Sequence, residues 1–530
     1  MRRGRSPALG DHWFVRAGIA TSLAIAASTA VAPAQENGGS EAAYRAALAA
    51  NPHDSRALYR LAELRLDHPR EAVALLERYT ALEPRDAWGF IALGDALGRA
   101  RRTEAALQAF DAAGRLAPGE RDVTIGRARM LARAGRVDRA IDEYDRWCAS
   151  HPADAEAGRE LAALYRRAGR LRSAIAAFER AQSIGSDPRA ARQLDNLRSM
   201  TAPHVDPVAL HSRDSDGNQV TGGAIVLGLV GDAIDLGVAG GTRRVTDLAD
   251  WVQLGDATAT FSWRPRSTMR IVVEGGAVAA PESSDPVGPD PGPGPGPGPG
   301  PGPPLPPSPP ARRNEMTVVP VGRLRYVWRE PEGRARVDLR GGHMLLAASP
   351  LLVRNRVTRT EIGGEAELRV IGPIALRATA RTATIESSSD ANSRRTIGGR
   401  VAVPVRFAGE LTAGWQRMTY ARASTVGYFA PRLAETAELG AYRESESESG
   451  LTVALDLGAG VQRVADWGVA ASGWSPAVRG WAALGVPLAP GRELRLEAEA
   501  YDARIGTEVA AAGSRWRYGS LSIGVRWSLR

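Results

Sequence analysis

The last eleven residues of the chain, from Ser520 to Arg530, alternate between apolar and polar side chains. The apolar set is Leu521, Ile523, Val525, Trp527 and Leu529, and the other set begins Ser520, Ser522, Gly524, Arg526 and Ser528. Because successive side chains of a β-strand point to opposite faces, this stretch predicts a strand with one apolar and one polar face. Segments of the same kind recur back to about residue 205, as is typical of a barrel that faces lipid outside and water inside.

Two interpretations of these strands are open. A soluble sheet shows the same alternation, so an exported soluble enzyme built as a β-sandwich is one of them. Its alanine- and valine-rich faces would need a large opposing core, yet aromatic residues make up only 6% of the chain. Lipid covers such faces without a partner sheet, which favours a membrane barrel. Beyond the N-terminal region no apolar run is long enough to span a bilayer as a helix, so membrane entry would have to use strands.

Connections between the predicted strands alternate between short and longer segments. The short ones fall near residues 231–232, 265–266, 330–332, 372–373, 408–409, 445–449 and 489–491, and the longer ones at 214–218, 246–250, 280–313, 348–352, 386–393, 424–432, 466–472 and 506–513. This division predicts an antiparallel transmembrane β-barrel of about sixteen strands over residues 201–530, with both ends on the side of the short turns. Bacterial outer-membrane barrels have short periplasmic turns, so the segment before the barrel is expected in the periplasm.

A low-complexity segment interrupts the strand pattern at residues 281–313, where Pro-Gly repeats from Pro291 to Gly302. Proline removes backbone donors and glycine increases chain entropy, so this segment cannot be a spanning strand. We predict a disordered outer loop. A linker between two separate β-units is the alternative.

An internal repeat precedes the strands. Its prolines, Pro52, Pro84, Pro118 and Pro152, are 32, 34 and 34 residues apart, and each ends a helical pattern. Apolar, small and aromatic residues recur at fixed slots, namely Leu93, Leu97, Ala106, Phe110 and Ala113 in one unit and Leu161, Tyr165, Ala174, Phe178 and Ala181 two units later. Small residues let paired helices approach closely, and aromatic residues fill the space between pairs. Arg127 and Trp147 depart from the pattern, because their slots usually hold small or apolar residues.

This pattern resembles the tetratricopeptide repeat over about residues 38–186, with residues 187–200 as a capping helix. We therefore predict an α-solenoid over residues 38–200. Such an array offers a concave groove for a protein or peptide partner, and a spacer is the alternative.

The N-terminus has the features of a secretory signal. Arg2, Arg3, Arg5 and Arg16 come before a run of small apolar residues from Ala17 to Ala32, and Ala32-Pro33-Ala34 offers a cleavage site. We predict a signal peptide over residues 1–34.

Composition argues against several function classes. The net charge is +9, but no dense basic cluster with interleaved aromatic residues is present, so we expect no nucleic-acid partner. Cys148 is the only cysteine, which excludes an intrachain disulfide, and a buried structural role is expected for it. The seven histidines are scattered, and no catalytic, phosphate-binding or metal-binding motif is found. We expect a non-enzymatic protein without a cofactor or metal.

The polar faces of the strands place many charged side chains in the predicted lumen. The arginines are Arg270, Arg323, Arg325, Arg336, Arg340, Arg377, Arg381, Arg400, Arg406, Arg479, Arg495 and Arg526, and the acids are Glu274, Asp338, Glu365, Glu367, Glu438, Glu497 and Glu499. In one interpretation, opposite charges pair and brace or plug the lumen. In the other, the lumen is a water-filled path whose arginine excess favours anionic or hydroxyl-rich cargo.

A signal peptide, tetratricopeptide repeats and a C-terminal barrel of about sixteen strands together resemble the outer-membrane exopolysaccharide export porins. The poly-N-acetylglucosamine export porin and the outer-membrane subunit of cellulose synthase are the two types concerned. The resemblance implies a Gram-negative-type outer membrane, a periplasmic array that recruits periplasmic or inner-membrane partner proteins, and a barrel, embedded in outer-membrane lipid, that passes a polysaccharide. The array is short for that family, and the chain ends in Leu529-Arg530 rather than an aromatic residue.

The alternative function is that of an interaction protein. A closed barrel would then anchor a periplasmic scaffold, or its outer loops would serve as a surface receptor.

Overall fold

The structure, a computed structural model, describes residues 41–281, 316–405, 409–447, 450–471, 473–489, 491–502 and 516–529. The predicted signal peptide, nearly all of the predicted Pro/Gly loop and Arg406 lie outside these residues. Within them, an N-terminal helical array is followed by a single β-barrel.

The array consists of ten helices joined by short turns. They are α1 Glu41–Ala50, α2 Ser55–Leu64, α3 Pro69–Leu82, α4 Ala87–Arg99, α5 Thr103–Leu116, α6 Arg121–Arg133, α7 Val137–Ser150, α8 Ala155–Ala168, α9 Leu171–Ile184 and α10 Pro188–Thr201. Each helix packs on the next one in the chain, as expected for the helix pairs that the sequence repeat predicts. The predicted helical solenoid is confirmed.

Phe110 shows why the repeat slots hold the residues they do. Its ring is fully buried between α4 and α6, at the two points where those helices carry Gly94 and Gly126. A Cβ atom would lie 2.7 Å from the ring at Gly94 and 2.4 Å from it at Gly126, closer than real Cβ contacts. The absence of side chains there lets one aromatic ring fill the space between successive helix pairs.

Both departures from the repeat pattern are accommodated by polar contacts. The Arg127 guanidinium donates hydrogen bonds to Glu143 (3.0 Å) on α7 and to Asp111 (3.1 Å) on α5. Trp147 is buried, stacks on His151 with ring centroids 3.7 Å apart, and donates its indole N–H to Asp154 at 3.0 Å. These contacts keep both large side chains within the array.

The barrel closes from sixteen antiparallel strands, each paired with its sequence neighbours and β1 paired with β16. They are β1 His204–Asp214, β2 Gln219–Val230, β3 Ile234–Thr246, β4 Trp251–Arg266, β5 Met269–Pro281, β6 Met316–Arg329, β7 Ala335–Leu345, β8 Thr358–Ile371, β9 Ile374–Glu386, β10 Ala391–Val405, β11 Gly409–Tyr420, β12 Leu433–Glu446, β13 Thr452–Ala465, β14 Ser475–Ala489, β15 Arg492–Asp502 and β16 Arg517–Ser528. A short helix, α11 Pro350–Arg354, lies between β7 and β8. The strand number is as predicted, and no sandwich forms from these strands.

The outer surface of the barrel is apolar, as the alternation in the sequence predicts. On β2, Ile225 is 55% exposed while its neighbours Ala224 and Val226 are buried. On β16, Leu521 and Ile523 are exposed while Gly524 is buried. Alternation therefore separates an exposed apolar surface from an interior that holds the polar positions.

Connections divide the barrel into two ends. The short-turn end carries turns such as 231–233, 330–334 and 372–373, and the long-loop end carries loops such as 346–357 and 421–432. Both the start of β1 and the end of β16 lie at the short-turn end, as does α10. The helical array therefore adjoins the short-turn end.

Three hairpin turns of the barrel contact the array. The Asp232 carboxylate, between β2 and β3, accepts hydrogen bonds from the Ser173 amide (3.0 Å) and hydroxyl (2.6 Å) in the first turn of α9. Ser267, between β4 and β5, donates to Asp138 of α7 at 2.9 Å. Gly135 lies so close to the β6–β7 turn that a Cβ atom would be 1.4 Å from the Pro331 carbonyl oxygen.

Asp232 thus acts as the N-cap of a helix from another part of the chain. The residue at the N-cap position of α9, Arg170, makes no capping side-chain hydrogen bond of its own. Carboxylates at helix N-termini satisfy free amides and interact favourably with the helix dipole. The junction between array and barrel is therefore a set of specific polar contacts.

Removal of the Asp154 side chain tests the packing of the array. Asp154 caps α8, and the hydrogen bond from the Arg121 guanidinium, with those from the Ala157 amide and the Trp147 indole, holds its pKa below the usual range. We expect Asp154→Ala to cost about 1 kcal/mol and to lower the temperature at which helical circular dichroism is lost by about 2–4 °C.

This effect should depend on pH. A carboxyl group whose pKa is depressed by folding stabilises above its unfolded pKa, about 3.9, and loses that contribution as the pH falls toward the folded value. The difference between native chain and variant should therefore be full at pH 7 and shrink below about pH 4. An equal difference at pH 7 and at pH 2 would contradict this account.

Asp232→Ala tests the junction. Loss of a cap worth about 1 kcal/mol should speed hydrogen exchange at the start of α9 by about fivefold, measured by mass spectrometry on the full chain. Asp86→Ala is the matched control, because Asp86 caps α4 from within the array. The control should change exchange at α4 and leave α9 alone, and unchanged exchange at α9 in Asp232→Ala would disprove the contact.

Candidate functional site: the barrel lumen

Alternate residues of each strand point into the barrel. On β9, Arg377, Thr379 and Arg381 are half-buried, whereas Leu376 and Ala378 are exposed on the outer surface. Barrels of sixteen to eighteen strands are wide enough to hold an aqueous channel. The interior is therefore the place where the polar chemistry of this barrel is concentrated.

Asp338 on β7 collects three arginines. Its carboxylate lies 2.6 Å from the Arg325 guanidinium, 3.2 Å from that of Arg336 and 2.8 Å from that of Arg340. Asp338 itself is 3% exposed. One carboxylate thus holds three guanidinium groups, and Glu365 and Glu367 lie opposite this cluster on β8.

Glu438 on β12 joins arginines from two other strands. It accepts hydrogen bonds from Arg400 of β10 (2.8 Å) and Arg479 of β14 (2.9 Å), and Arg479 also pairs with Asp456 of β13 (2.7 Å). Gly440 and Gly458, next to these side chains, leave room for the arginines to cross between strands. The ion pairs thus connect strands that are not neighbours in the sheet.

Arg377 on β9 forms a second bridge of this kind. It pairs with Glu367 of β8 (2.8 Å) and with both carboxylate oxygens of Glu410 on β11, each at 2.6 Å. A guanidinium holding two carboxylates fixes the relative positions of β8, β9 and β11.

The seam between β1 and β16 has its own cluster. Asp206 on β1 is almost fully buried and lies 3.4 Å from Arg526 of β16 and 3.6 Å from Arg495 of β15. Arg526 also donates to the buried ring of His204 at 2.9 Å, and Arg495 pairs with Glu493 at 2.7 Å. These contacts link the first strand to the last two.

At the short-turn end of the wall formed by β3–β5, Asp235 on β3 binds Arg264 of β4 at 2.7 Å and Arg270 of β5 at 3.4 Å. Beside it, Glu274 on β5 pairs with Arg323 of β6 at 2.6 Å. Charged contacts therefore run around most of the described wall of the lumen.

The structure gives the location of each predicted lumen residue within the described part of the chain. Arg270, Arg323, Arg325, Arg336, Arg340, Arg377, Arg400, Arg479, Arg495, Arg526 and Glu367 form the ion pairs described above. Arg381 and Glu365 are half-buried on the lumen face of β9 and β8. Glu497 accepts a hydrogen bond from the Trp481 indole, and Glu499 accepts one from the Tyr501 hydroxyl.

The sequence analysis missed several lumen charges. They are Arg243 with Asp256 (3.0 Å), Arg394 with Glu361, and the partners Asp206, Asp235, Arg264, Glu410, Asp456 and Glu493. The two-residue alternation could have identified them. Glu410, for example, lies two residues before the inward Thr412 on β11 and therefore faces the same side. With these acids included, the arginine excess of the described lumen is small.

A recess lies in the wall between β9 and β12. Its floor consists of Gly398 and Gly414, which point inward without side chains, and its rim includes Arg377, Arg400 and Glu438. Thr379, Gln416 and Thr436 add neutral hydrogen-bonding groups to the lining. The recess is small, and these groups could form hydrogen bonds with a hydroxyl group of a ligand in the lumen.

At the long-loop end, two parts of the lumen wall are apolar. Inward residues of β3–β6, among them Leu254 and Val278, form one buried cluster, and those of β9 and β11–β13, among them Ile385 and Met418, form another. Loop residues 346–357 contribute to both clusters. Packed apolar side chains, among them those of residues 346–357, therefore cover part of the charged lumen at this end.

Among the described residues, no group of histidine, cysteine, aspartate and glutamate side chains is arranged to hold a metal ion. In the same part of the chain, no helix is long and apolar enough to cross a membrane.

Asp338→Asn tests the electrostatic role of the lumen network. Without the carboxylate charge, three arginines face one another in a buried site, and breaking a buried pair in this way costs about 3–5 kcal/mol. We expect the temperature at which the barrel loses its compact electrophoretic mobility to fall clearly. Asp256→Asn is the control, because Asp256 pairs with one arginine, Arg243, and it should lower that temperature less. Equal decreases in this temperature for Asp338→Asn and Asp256→Asn would contradict the conclusion that Asp338 stabilises the barrel by holding three arginines.

Comparison with known proteins agrees with the helical part of the fold. A tetratricopeptide repeat model matches residues 91–155. The sequence matches none of the curated proteins with which it was compared.

Among solved structures, the chain is similar to a bacterial polysaccharide outer membrane secretin, with a TM-score of 0.42, 10% identity, and coverage of 62% of this chain and 99% of that chain. It is also similar to TTC0263, a thermophilic tetratricopeptide-repeat protein in Thermus thermophilus, with a TM-score of 0.26, 26% identity, and coverage of 30% and 88%. For a MamA protein, the TM-score is 0.26 at 23% identity, with coverage of 27% and 80%. The chain thus combines tetratricopeptide repeats with a closed sixteen-strand barrel, which is the architecture expected from its resemblance to the exopolysaccharide export porins.

Proposed function

We propose that this chain is a non-enzymatic outer-membrane porin that exports a polysaccharide, with a periplasmic array that recruits partner proteins. The observation that carries the proposal is the contrast between the two surfaces of the barrel. The outer surface is apolar and exposed, while the lumen is lined with arginines and carboxylates. Such a barrel is stable in lipid and keeps a polar path inside it.

Tryptophans at both ends support the membrane placement. Trp251 at the long-loop end and Trp527 at the short-turn end are about half exposed on the outer surface. Arg244 and Arg492 cover them, with the guanidinium carbons 4.5 Å and 4.6 Å from the ring centroids. Aromatic residues form girdles at both interfaces of outer-membrane barrels. In such a membrane the short-turn end and the array face the periplasm, and the long loops face outward.

The pairing of lumen charges favours a hydroxyl-rich cargo over a strongly anionic one. An arginine paired with a carboxylate has little net charge left to attract an ion. Both side chains still have hydrogen-bond donors or acceptors for hydroxyl groups. The recess above Gly398 and Gly414 supplies such groups together with Thr379 and Gln416. The choice of a polysaccharide rests on the resemblance given in the sequence analysis.

The array is the proposed site for partner proteins. Asp95 on α4 is exposed, yet it is surrounded by other groups: burial raises its pKa, which Arg129 and Arg133 of α6 oppose. Asp95 therefore lies near Arg129 and Arg133, on a surface shared by α4 and α6. Trp88, 52% exposed at the start of α4, adds an apolar anchor of the kind found at protein interfaces. We propose that a periplasmic or inner-membrane protein binds there.

A second function, that of a closed barrel anchoring a periplasmic scaffold or serving as a surface receptor, is favoured by one observation. Apolar packing covers part of the long-loop end of the lumen. A barrel that stays closed there cannot pass a polymer.

The test is single-channel recording of the full chain in a planar bilayer. We expect water-filled openings with weak ion selectivity, because the lumen charges are largely paired. Linear oligosaccharides of glucose or N-acetylglucosamine, added on the short-turn side, should block the current reversibly. Stable insertion with no current at any voltage, even after loop 346–357 is shortened, would support the anchored scaffold instead.

Gly414→Trp tests where the sugar binds. A tryptophan at this inward position fills the recess, so oligosaccharide block should weaken by about tenfold, or about 1.4 kcal/mol. Gly240→Trp is the matched control, because Gly240 is exposed on the outer surface of β3, away from the recess. Equal block in the native chain and both variants would exclude the recess as a binding site.

A further inference from the structure

The loop between β7 and β8, residues 346–357, is built as a compact unit. Its two ends are joined by a hydrogen bond from the Leu346 amide to the Val357 carbonyl oxygen at 2.8 Å. Within it, Ser349 precedes α11 and accepts a hydrogen bond from the Leu352 amide, so the short helix has its own cap. We call residues 346–357 the strap.

The strap contacts both sides of the barrel mouth. Leu352 and Val353 are adjacent in the chain and are both 0% exposed, but they belong to different apolar clusters. Leu352 packs with inward residues of β9 and β11–β13, and Val353 packs with those of β3–β6. In a ring of sixteen strands, β4 and β12 are eight positions apart, so these clusters stand on opposite walls.

Polar and steric contacts fix the strap at three points, one of which is a hydrogen bond from Arg356 to the Thr317 hydroxyl of β6 at 2.8 Å. Arg354 holds the carboxylate of Asp250, in the β3–β4 loop, through two hydrogen bonds of 2.7 Å and 2.8 Å. On the other side, Leu351 touches Gly427 in the β11–β12 loop, where a Cβ atom would lie 2.7 Å from the leucine methyl carbon. The strap is therefore held from across the mouth as well as from its own two strands.

The composition of the lumen explains why the strap stays in place. Most inward positions are charged or polar, but several near the long-loop end are apolar, including Val252, Leu254, Ile385 and Val464. Without a cover these side chains would face water, which opposes removal of the strap. The Arg354–Asp250 pair is about a third or more exposed, and ion pairs of that kind are weak. A weak ion pair, combined with packing on the apolar clusters, allows both a closed and a released state of the strap.

We propose that the strap is a movable closure of the outer mouth, latched by Arg354 and Asp250, and that export requires its release. The inference rests on the proposed porin function and adds its regulation. In the closed state the apolar clusters seal the mouth. In the released state the strap leaves both clusters and the polar lumen below opens to the outside.

The first experiment compares single-channel recordings of the full-length native chain and three variants. Asp250→Asn and Arg354→Gln each remove one side of the latch, and a third variant replaces residues 349–355 with a short Gly-Ser link. We expect rare openings in the native chain, at least tenfold more open time in the latch variants, and steady current in the shortened one. Arg463→Gln is the matched control, because Arg463 pairs with Glu435 near the same end without contacting the strap.

A reversible cross-link separates release of the strap from other effects of the substitutions. Cys148→Ser removes the only native cysteine. In that background, Asp250→Cys with Arg354→Cys should raise the open time as the single latch variants do. A short bifunctional methanethiosulfonate should then join the two thiols and reduce the open time below that of the native chain, and a reductant should restore it.

The outcomes distinguish the closure from the porin itself. Equal, sizeable currents in the native chain and the shortened variant would overturn the closure and leave the porin standing. No current in any variant, although each inserts as a folded barrel, would overturn both. An unchanged open time after cross-linking would show that the strap does not move during opening, which also overturns the closure.

Discussion

Closure of the sheet between β1 and β16 is the constraint on which the rest of the structure depends. Backbone amide and carbonyl groups within a bilayer have no water to bond, so a strand can enter lipid only when both of its edges are paired. The seam pairs His204 with Ser528 and Asp214 with Tyr518, so nearly the full length of both strands takes part. Once the ring is closed, the two-residue period assigns every side chain to lipid or to lumen.

The lumen then has to neutralise the charges that closure places inside it. Arginines that bridge two or three strands, such as Arg377 and Arg479, do this while also fixing the positions of those strands. Glycines beside them provide the space, as at Gly458, where a Cβ atom would lie 2.8 Å from the Arg479 Nε atom. The interior is thus held by contacts across strands as well as along them, which suits a barrel whose wall must stay rigid around a polar path.

Local periodicity predicted most of the fold. The alternation of the last strand, the fixed repeat slots around Phe110 and the division into short and long connections each depend on residues close in sequence. One misplaced turn illustrates the limit: β4 continues through Pro265 to Arg266, with a register shift after Trp263, so the turn falls two residues later than residues 265–266. Proline interrupted the pattern there, and the strand absorbed the interruption as an irregularity.

Contacts between distant segments could not be predicted in this way. The alternation identified Arg377 and Arg479 as inward residues, but their partners depend on register and on the tilt of strands around the ring. Asp206 gives no sign of its role until β1 meets β16, and α11 is too short to show a helical period. Sites made by closure of the ring therefore require the three-dimensional structure, even where each residue type was recognised in the sequence.

The cap that Asp232 supplies to α9 has a consequence for biogenesis. The first amides of α9 obtain their carboxylate partner from a hairpin that comes after the whole array in the chain, with the Ser173 amide and hydroxyl both bound to it. The last repeat therefore reaches its complete set of hydrogen bonds only after the first strands of the barrel have folded. Assembly in this order makes completion of the repeat nearest the barrel depend on formation of the β2–β3 hairpin.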